Sequence, residues 1–393
     1  MDLSAISLSL QSALLFGAIA FCVLFALLHL REARRGDFAA GYAMGGYLFL
    51  SGLYLFPWAA GHLGWYARPA TRQVLFYVPF QQLLLIGPCI YLYVNKLLGV
   101  HEREKGSNLW HYLPGFLYLL YSLVVWVVDT FYRDYHFFYA DGQDKDLATW
   151  YQVAGLVSMA GYTTLAYLRY RTYTKTSRQE ISYFDAVTYD WVRRYLILLF
   201  VLVVLRLLFF VAYPGFGNFG QNFWYYLAYG CVAGTIGLAG YTEAVRRAAG
   251  GLVATSLTPE LRNAVSAEAT PYSDIAEGDL NHWQDRLEAL LNEREPFRNP
   301  TLSLTDLAAM LELNRRQTSA LINLRYEQNF NDFINGHRVR AIQESIQAGR
   351  HRERTLLALA LEAGFNSKTT FNRVFKRETG LTPGQYQRKV GKS

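Results

Sequence analysis

Seven apolar runs, each near 20 residues long and separated by charged turns, fill roughly the first 245 positions of this 393-residue chain. They lie at about 6–30, 38–60, 73–98, 109–128, 148–169, 191–212 and 222–245. A helix of about 20 residues matches the hydrocarbon thickness of a bilayer. A backbone immersed in lipid must satisfy its own hydrogen bonds, and the helix does so within one segment. Residues 1–247 are therefore expected to form a seven-helix transmembrane bundle. The second run is the weakest, with Gly41, Gly45, Gly46, Gly52 and Pro57. It is kept because a six-span arrangement destroys the charge pattern of the loops.

The turns after odd-numbered runs are basic: Arg31, Arg34 and Arg35; Lys96, Arg103 and Lys105; Arg169, Arg171, Lys175, Arg178, Arg193 and Arg194; Arg246 and Arg247. The other side holds only Arg68, Arg72, Arg133 and Lys145, and its loop 129–147 is acidic (Asp129, Asp134, Asp141, Asp144, Asp146). Basic loops stay in the cytoplasm. This puts the N-terminus outside and the C-terminus in the cytoplasm, in a multi-pass membrane protein. A cleaved signal peptide is not expected, since Asp2 stands in place of a basic n-region. The cysteines Cys22, Cys89 and Cys231 fall in apolar runs and suggest neither a disulfide framework nor a metal site.

Within the runs, Gly230, Gly234, Gly237 and Gly240, and the pair Gly41 and Gly45, read as close helix packing. Pro79 and Pro88 are expected to kink the third run. Gln81 and Gln82, between them, either face a pocket or hydrogen-bond a neighbouring helix. Arg206 is the one clear basic residue well inside a run. Such a charge is a candidate sensing or ligand group, unless it snorkels to the nearby outer edge. Gln81, Gln82 and Arg206 are thus the candidate membrane-sensing residues.

Polar and small residues take over at 248–279, with Gly250, Gly251, Pro259, Pro271 and Gly278, and read as a flexible cytoplasmic tether. Leu280, Trp283, Leu287, Leu290 and Leu291 then share one face of an amphipathic helix over 280–294. That face is expected to pack on the domain that follows or, failing that, to form a dimer seam. Charge is partitioned as sharply as hydropathy. Residues 301–393 carry 15 Lys+Arg against 8 Asp+Glu, which accounts for the whole net charge of +7. Such concentration is the footprint of a polyanion binder.

Two similar helix pairs occupy this basic region, at about 303–325 and 355–378. Ser303 caps a helix holding Leu304, Leu307, Ala308 and Leu311; a turn follows at Glu312–Asn314, and Asn314 caps a second helix from Arg315. The second pair repeats the scheme with Leu356, Leu357, Leu359, Ala360 and Leu361, a tight turn at Gly364, Phe365 as a core plug, and Asn366 or Ser367 as cap. Thr382-Pro383 starts a last short helix. One long helix from Phe330 to about Gly349 joins the pairs. Near 30 Å long, it spaces them by about one turn of B-DNA.

The pieces Leu307-Ala308, Asn335-Gly-His-Arg338-Val339, Ala363-Gly364-Phe365, Ser367, Phe371-Asn-Arg373-Val-Phe375-Lys376 and Gly380-Leu-Thr-Pro383 resemble the DNA-binding domain of AraC/XylS-type bacterial transcription regulators. The likeness begins near Trp283. The seven-run half is similar to membrane-anchored members of that family in architecture only. The expected fold is all-α throughout: the membrane bundle, then a soluble domain over 280–393 with two helix-turn-helix units joined by a long helix. In the first reading helix, Thr318 stands where the family has a core Leu, and Ala320 where a polar DNA contact is common. Base reading is therefore expected from Arg315, Arg316, Ser319 and Asn323. In the second, Lys368, Thr369, Asn372 and Arg373 face outward, and the resemblance places that face in the groove. Lys376 and Arg377 are the phosphate candidates.

The resulting expectation is a membrane-embedded one-component regulator which, as the resemblance to bacterial regulators implies, sits in the bacterial inner membrane with its C-terminal domain in the cytoplasm. Its partners are double-stranded DNA, the lipid bilayer, a small-molecule or membrane-borne signal, and as further candidates RNA polymerase and a second copy of the chain. No cofactor or metal is expected. Two alternatives remain open: a receptor- or transporter-like protein with a scaffolding tail, and a regulator whose runs serve only as anchor. An enzyme is not expected. His101-Glu102 begins like a zinc-protease helix but Lys105 removes the second ligand, and phosphate-loop, G-x-S-x-G, kinase and cyclase signatures are absent.

Overall fold

The computed structural model describes residues 9–35, 40–98, 108–132, 137–139, 144–183, 189–212, 219–249 and 280–391. The tether expected at 248–279 falls outside them except for its first two positions. Fifteen α-helices are found among the described residues, with one isolated antiparallel bridge, Ile181 to Ser303, and no strand. They divide into two compact units. One comprises residues 1–170 and 189–251, the other 171–188 and 252–393.

In the first unit every apolar run becomes helical: α1 (Leu10–Arg34), α2 (Gly41–His62), α3 (Pro69–Tyr77), α4 (Leu83–Leu97), α5 (Leu113–Phe131), α6 (Thr149–Glu180), α7 (Asp190–Ala212) and α8 (Phe219–Ala249). Two details differ from expectation. The third run is broken into α3 and α4 by a non-helical stretch at 78–82 with tight i→i+2 turns, whereas α4 passes through Pro88 without interruption. Pro79 can neither donate a helical hydrogen bond nor tolerate a helical residue before it. The expectation of seven spans is also narrowed. Among the described residues three helices, Leu10–Arg34, Leu109–Phe131 and Trp191–Ala212, are long and apolar enough to cross a membrane.

The reason lies in the packing. Helix α2 lies against α1, α4 and α8, and Tyr47, Leu48, Tyr54, Leu55, Trp58, Ala59 and Ala60 on it are all buried. A helix enclosed by other helices needs small and aromatic residues that interlock rather than a uniformly aliphatic surface. The glycines permit this close approach. A Cβ at Gly41 would lie 2.6 Å from the His29 carbonyl oxygen, and one at Gly237 would lie 2.8 Å from Leu48.

The second unit holds α9 (Leu280–Arg294), α10 (Leu304–Leu311), α11 (Arg315–Tyr326), α12 (Phe330–Gln347), α13 (Leu356–Glu362), α14 (Lys368–Thr379) and α15 (Pro383–Val390). Two apolar cores flank α12. Leu280, Leu287, Leu290 and Leu291 of α9 join Leu304, Leu307, Leu311, Leu321, Ile322, Phe330, Phe333 and Ile334 in the first. The amphipathic face of α9 therefore packs onto the first helix pair. Val339, Ile342 and Ile346 of α12 meet Leu359, Ala360, Phe365, Phe371, Val374 and Phe375 in the second. At 18 residues, α12 is about 27 Å long. Residues 171–188, which the sequence reading placed in a loop of the membrane half, belong to this unit.

Candidate nucleic-acid interface

Each reading helix is positioned by its caps and its buried face. The side chains of Ser303 and Asn314 accept from the backbone amides of Asp306 and Gln317, and both close reciprocal capping boxes. Glu312 adopts a left-handed conformation (φ 57°) that ends α10 and turns the chain into α11. In the second pair Gly364 (φ +96°) makes the turn; a Cβ there would lie 2.4 Å from the Phe297 carbonyl oxygen. Of the two candidate caps for α14, Ser367 takes the role through the Thr370 amide, while Asn366 bonds the Pro300 carbonyl.

On α11, Leu321 and Ile322 are buried, and so are Thr318 and Ala320. Ala320 thus belongs to the core side rather than to a DNA-contacting face, and the Thr318 hydroxyl donates to the Asn314 carbonyl. Arg316 is exposed, with Arg315, Ser319 and Asn323 partly so. The Asn323 amide reaches the Ser319 hydroxyl at 3.4 Å. On α14, Phe371, Val374 and Phe375 are buried, whereas Lys368, Thr369, Asn372, Arg373, Lys376 and Arg377 are exposed. Arg377 is engaged by two carboxylates, Asp332 at 2.8 Å and Glu378 at 2.7 Å. It ties α14 to α12.

Residues 307–389 match the family model of a helix-turn-helix domain. The match runs from within α10 to within α15, and it supports the AraC/XylS-type resemblance and a DNA-binding role in transcription regulation. The matched family is not an enzyme family. No curated protein and no solved structure matches the chain.

The unit is locked by a residue that helical spacing alone does not single out. Arg338, 2% exposed, donates from Nε to the Phe297 carbonyl, from Nη1 to the Ser182 carbonyl and Asn335 Oδ1, and from Nη2 to Ser182 Oγ and the Asn299 carbonyl. Burial pushes its guanidinium down to about 9, still charged at neutral pH. Ser182 completes the contact: its amide and hydroxyl both donate to the Leu302 carbonyl, at 3.1 and 2.7 Å. Asn331 Nδ2 donates to the Ser182 carbonyl at 2.9 Å, and Glu180 pairs with Arg315. These partners lie some 120 to 156 positions apart in sequence, so local pattern carries no trace of them.

The candidate sensing residues lie in the first unit. Arg206 does not snorkel: it is 6% exposed and donates to Asn222 Oδ1 (3.1 Å), Gln152 Oε1 (3.3 Å) and the Tyr226 hydroxyl (3.1 Å). Gln152 in turn donates to Gln81 Oε1 at 2.6 Å. The Gln81 backbone is held by Tyr151 and by Asp146, which also accepts from Tyr118. One buried polar network thus joins the non-helical break at 78–82 to α5, α6, α7 and α8. Gln81 belongs to it and meets a neighbouring helix. Gln82 does not; its amide turns back to the Pro79 carbonyl. Tyr118, Asp146, Tyr151, Gln152, Asn222 and Tyr226 were not singled out by sequence. Their only signal is polarity within or beside an apolar run.

Proposed function

We propose that the chain is a membrane-embedded one-component transcription regulator, with seven spans and a cytoplasmic DNA-reading unit that binds a bipartite double-stranded site. The observation that carries the DNA reading is the pair of exposed polar faces on α11 and α14, set at the two ends of α12. Arg315, Arg316, Ser319 and Asn323 read one half-site, and Lys368, Thr369, Asn372 and Arg373 the other. Arginine forks onto guanine and asparagine onto adenine. Lys376 and the amides at the start of α14 hold phosphates.

Membrane embedding is supported by an exposed apolar surface that water does not tolerate over such an extent: Phe116, Leu117, Leu120, Leu123 and Val124 on α5, and Ile197, Phe200, Val201, Val204, Leu205 and Leu208 on α7. The more polar helices between them count as spans on this reading because protein, not lipid, surrounds them. The buried Arg206–Gln152–Gln81 network is the candidate receptor for a small-molecule or membrane-borne signal. RNA polymerase and a second copy of the chain are further partners.

The test is selection of duplexes from a random pool by the full chain in lipid nanodiscs. Enrichment of a site with two boxes about one helical turn apart supports the reading. A folded protein that binds every sequence alike refutes it. Release of the chain from membranes by alkaline carbonate would refute the embedding.

A further inference from the structure

Residues 180–183 lie at least 120 positions in sequence from their hydrogen-bond partners in the DNA-reading unit, yet they are built into it. Ile181, Ser182 and Tyr183 are buried, and Ile181 forms an antiparallel bridge with Ser303, the cap of α10. Two of the five bonds of buried Arg338 go to Ser182. Asn331 clamps the same segment through the carbonyls of Ile181 and Ser182. This is a receptor surface for an extended segment, made of the Leu302–Ser303 backbone, Asn331 and Arg338. The occupant is in place.

The docked segment also does something to the reading helix. Glu180 places a carboxylate 2.5 Å from Arg315 Nη2, and its side chain is only 15% exposed. Arg315 is the first residue of α11, the end of a helix at which backbone amides and dipole already favour an anion. A carboxylate on that arginine occupies the position and neutralises the charge that a DNA phosphate or a guanine edge requires. Glu180 is also the last residue of α6, the helix whose first turns carry Tyr151 and Gln152 of the buried polar network.

We infer that the segment 180–183 is an internal competitor of DNA: docked through Ser182 on Arg338 and Asn331, it holds Glu180 on Arg315 and lowers the affinity of the first helix-turn-helix unit for its half-site. The inference rests on the DNA-reading function proposed above and adds its regulation. Undocking frees Arg315 for one additional contact with DNA.

The experiment uses the full chain in nanodiscs and two fluorescein-labelled duplexes, one enriched from a random pool by the parent protein and one of random sequence, read by fluorescence anisotropy over a series of salt concentrations. Glu180→Gln keeps the size and polarity of the side chain and removes the charge. The expected result is about two- to fivefold tighter binding, the range of a partly exposed ion pair, and a salt dependence steeper by about one released counterion. In an Arg315→Gln background the same change at Glu180 has no effect on either quantity. Unchanged affinity and salt slope in Glu180→Gln overturn the inference, as does an effect that persists without Arg315. The two failures are distinguishable. If no variant binds any duplex, the DNA-reading function falls and the competitor with it; if the parent selects a site that Glu180→Gln binds equally well, only the competitor falls.

Discussion

Replacing Arg338 by methionine tests whether the docked segment is part of the folded domain. Five hydrogen bonds leave the guanidinium. Charge-assisted bonds contribute at least about 1.5 kcal/mol each. Against them stands the burial that pulls the group from 12.5 to about 9, a cost near 5 kcal/mol at roughly 1.4 kcal/mol per decade. The balance favours arginine by about 2–3 kcal/mol. Methionine fills the space but strands two buried acceptors, the Phe297 carbonyl and Asn335 Oδ1, which have no other partner among the described hydrogen bonds. At about 1 kcal/mol or more each, less the gain from burying an apolar side chain, the net loss is about 3 kcal/mol. A domain of this size holds only about 5–15 kcal/mol. Hydrogen–deuterium exchange of the full chain in nanodiscs reads the change directly. The slowest amides of α12 lose about two decades of protection, and amides at 180–183 and 297–302 lose theirs in parallel. Arg338→Lys fails in the same direction, since an ammonium cannot fork across Phe297, Ser182 and Asn299. Loss of less than threefold in protection, or loss confined to α12 with 180–183 unaffected, refutes the reasoning.

Arg373→Ala is expected to cost about 1–3 kcal/mol on the selected duplex and little on random DNA, whereas Lys376→Ala weakens both alike and flattens the salt dependence by about one ion; equal losses on both duplexes for Arg373→Ala refute its role in base reading. Gly364→Ala places a Cβ 2.4 Å from the Phe297 carbonyl oxygen in a backbone with φ +96°, so several kcal/mol of domain stability are lost and thermal melting of the second unit shows it. His337 stacks on Phe297 and meets Phe333 edge to face, and burial, with Arg340 nearby, pushes its imidazole down to about 4. Its folded pKa lies below the unfolded value, so the stability it contributes is complete above about pH 6.5 and is lost as pH falls toward 4. That amounts to about 2 kcal/mol at pH 5; His337→Phe flattens the profile, and an unchanged acid sensitivity refutes the assignment. Arg206→Met removes the hydrogen bonds to Gln152, Asn222 and Tyr226 that join α6, α7 and α8 and lowers the melting temperature of the first unit in detergent, an outcome absent if lipid headgroups hold the charge instead.

Much of this molecule is written in local pattern. Apolar periodicity located most helices of the first unit to within about four residues, because a helix depends on side chains of its own segment; α6 runs on to Glu180, well past its apolar run, and the third run divides into α3 and α4. Caps and turns of the two helix pairs are equally local: Ser303, Asn314, Ser367 and Thr382 each bond an amide three positions on. The inward and outward faces of α14 follow from 3.6-residue periodicity alone. By contrast, the two prolines expected to kink the third run act differently: the helix stops before Pro79, while α4 continues through Pro88.

The sequence by itself determined the helices, their faces, the two helix-turn-helix units and the concentration of positive charge in the last quarter of the chain. Only the tertiary structure decided what the polar residues between those faces do. It tied Arg377 to α12, drew Arg206 into a network reaching from Asn222 to Gln81, and seated Ser182 on Arg338. Each of these is a hydrogen bond or ion pair between segments distant in sequence. A side chain that bonds a distant partner has the same spacing, and the same composition around it, as one that faces water. The difference exists only once the chain has brought the partner to it.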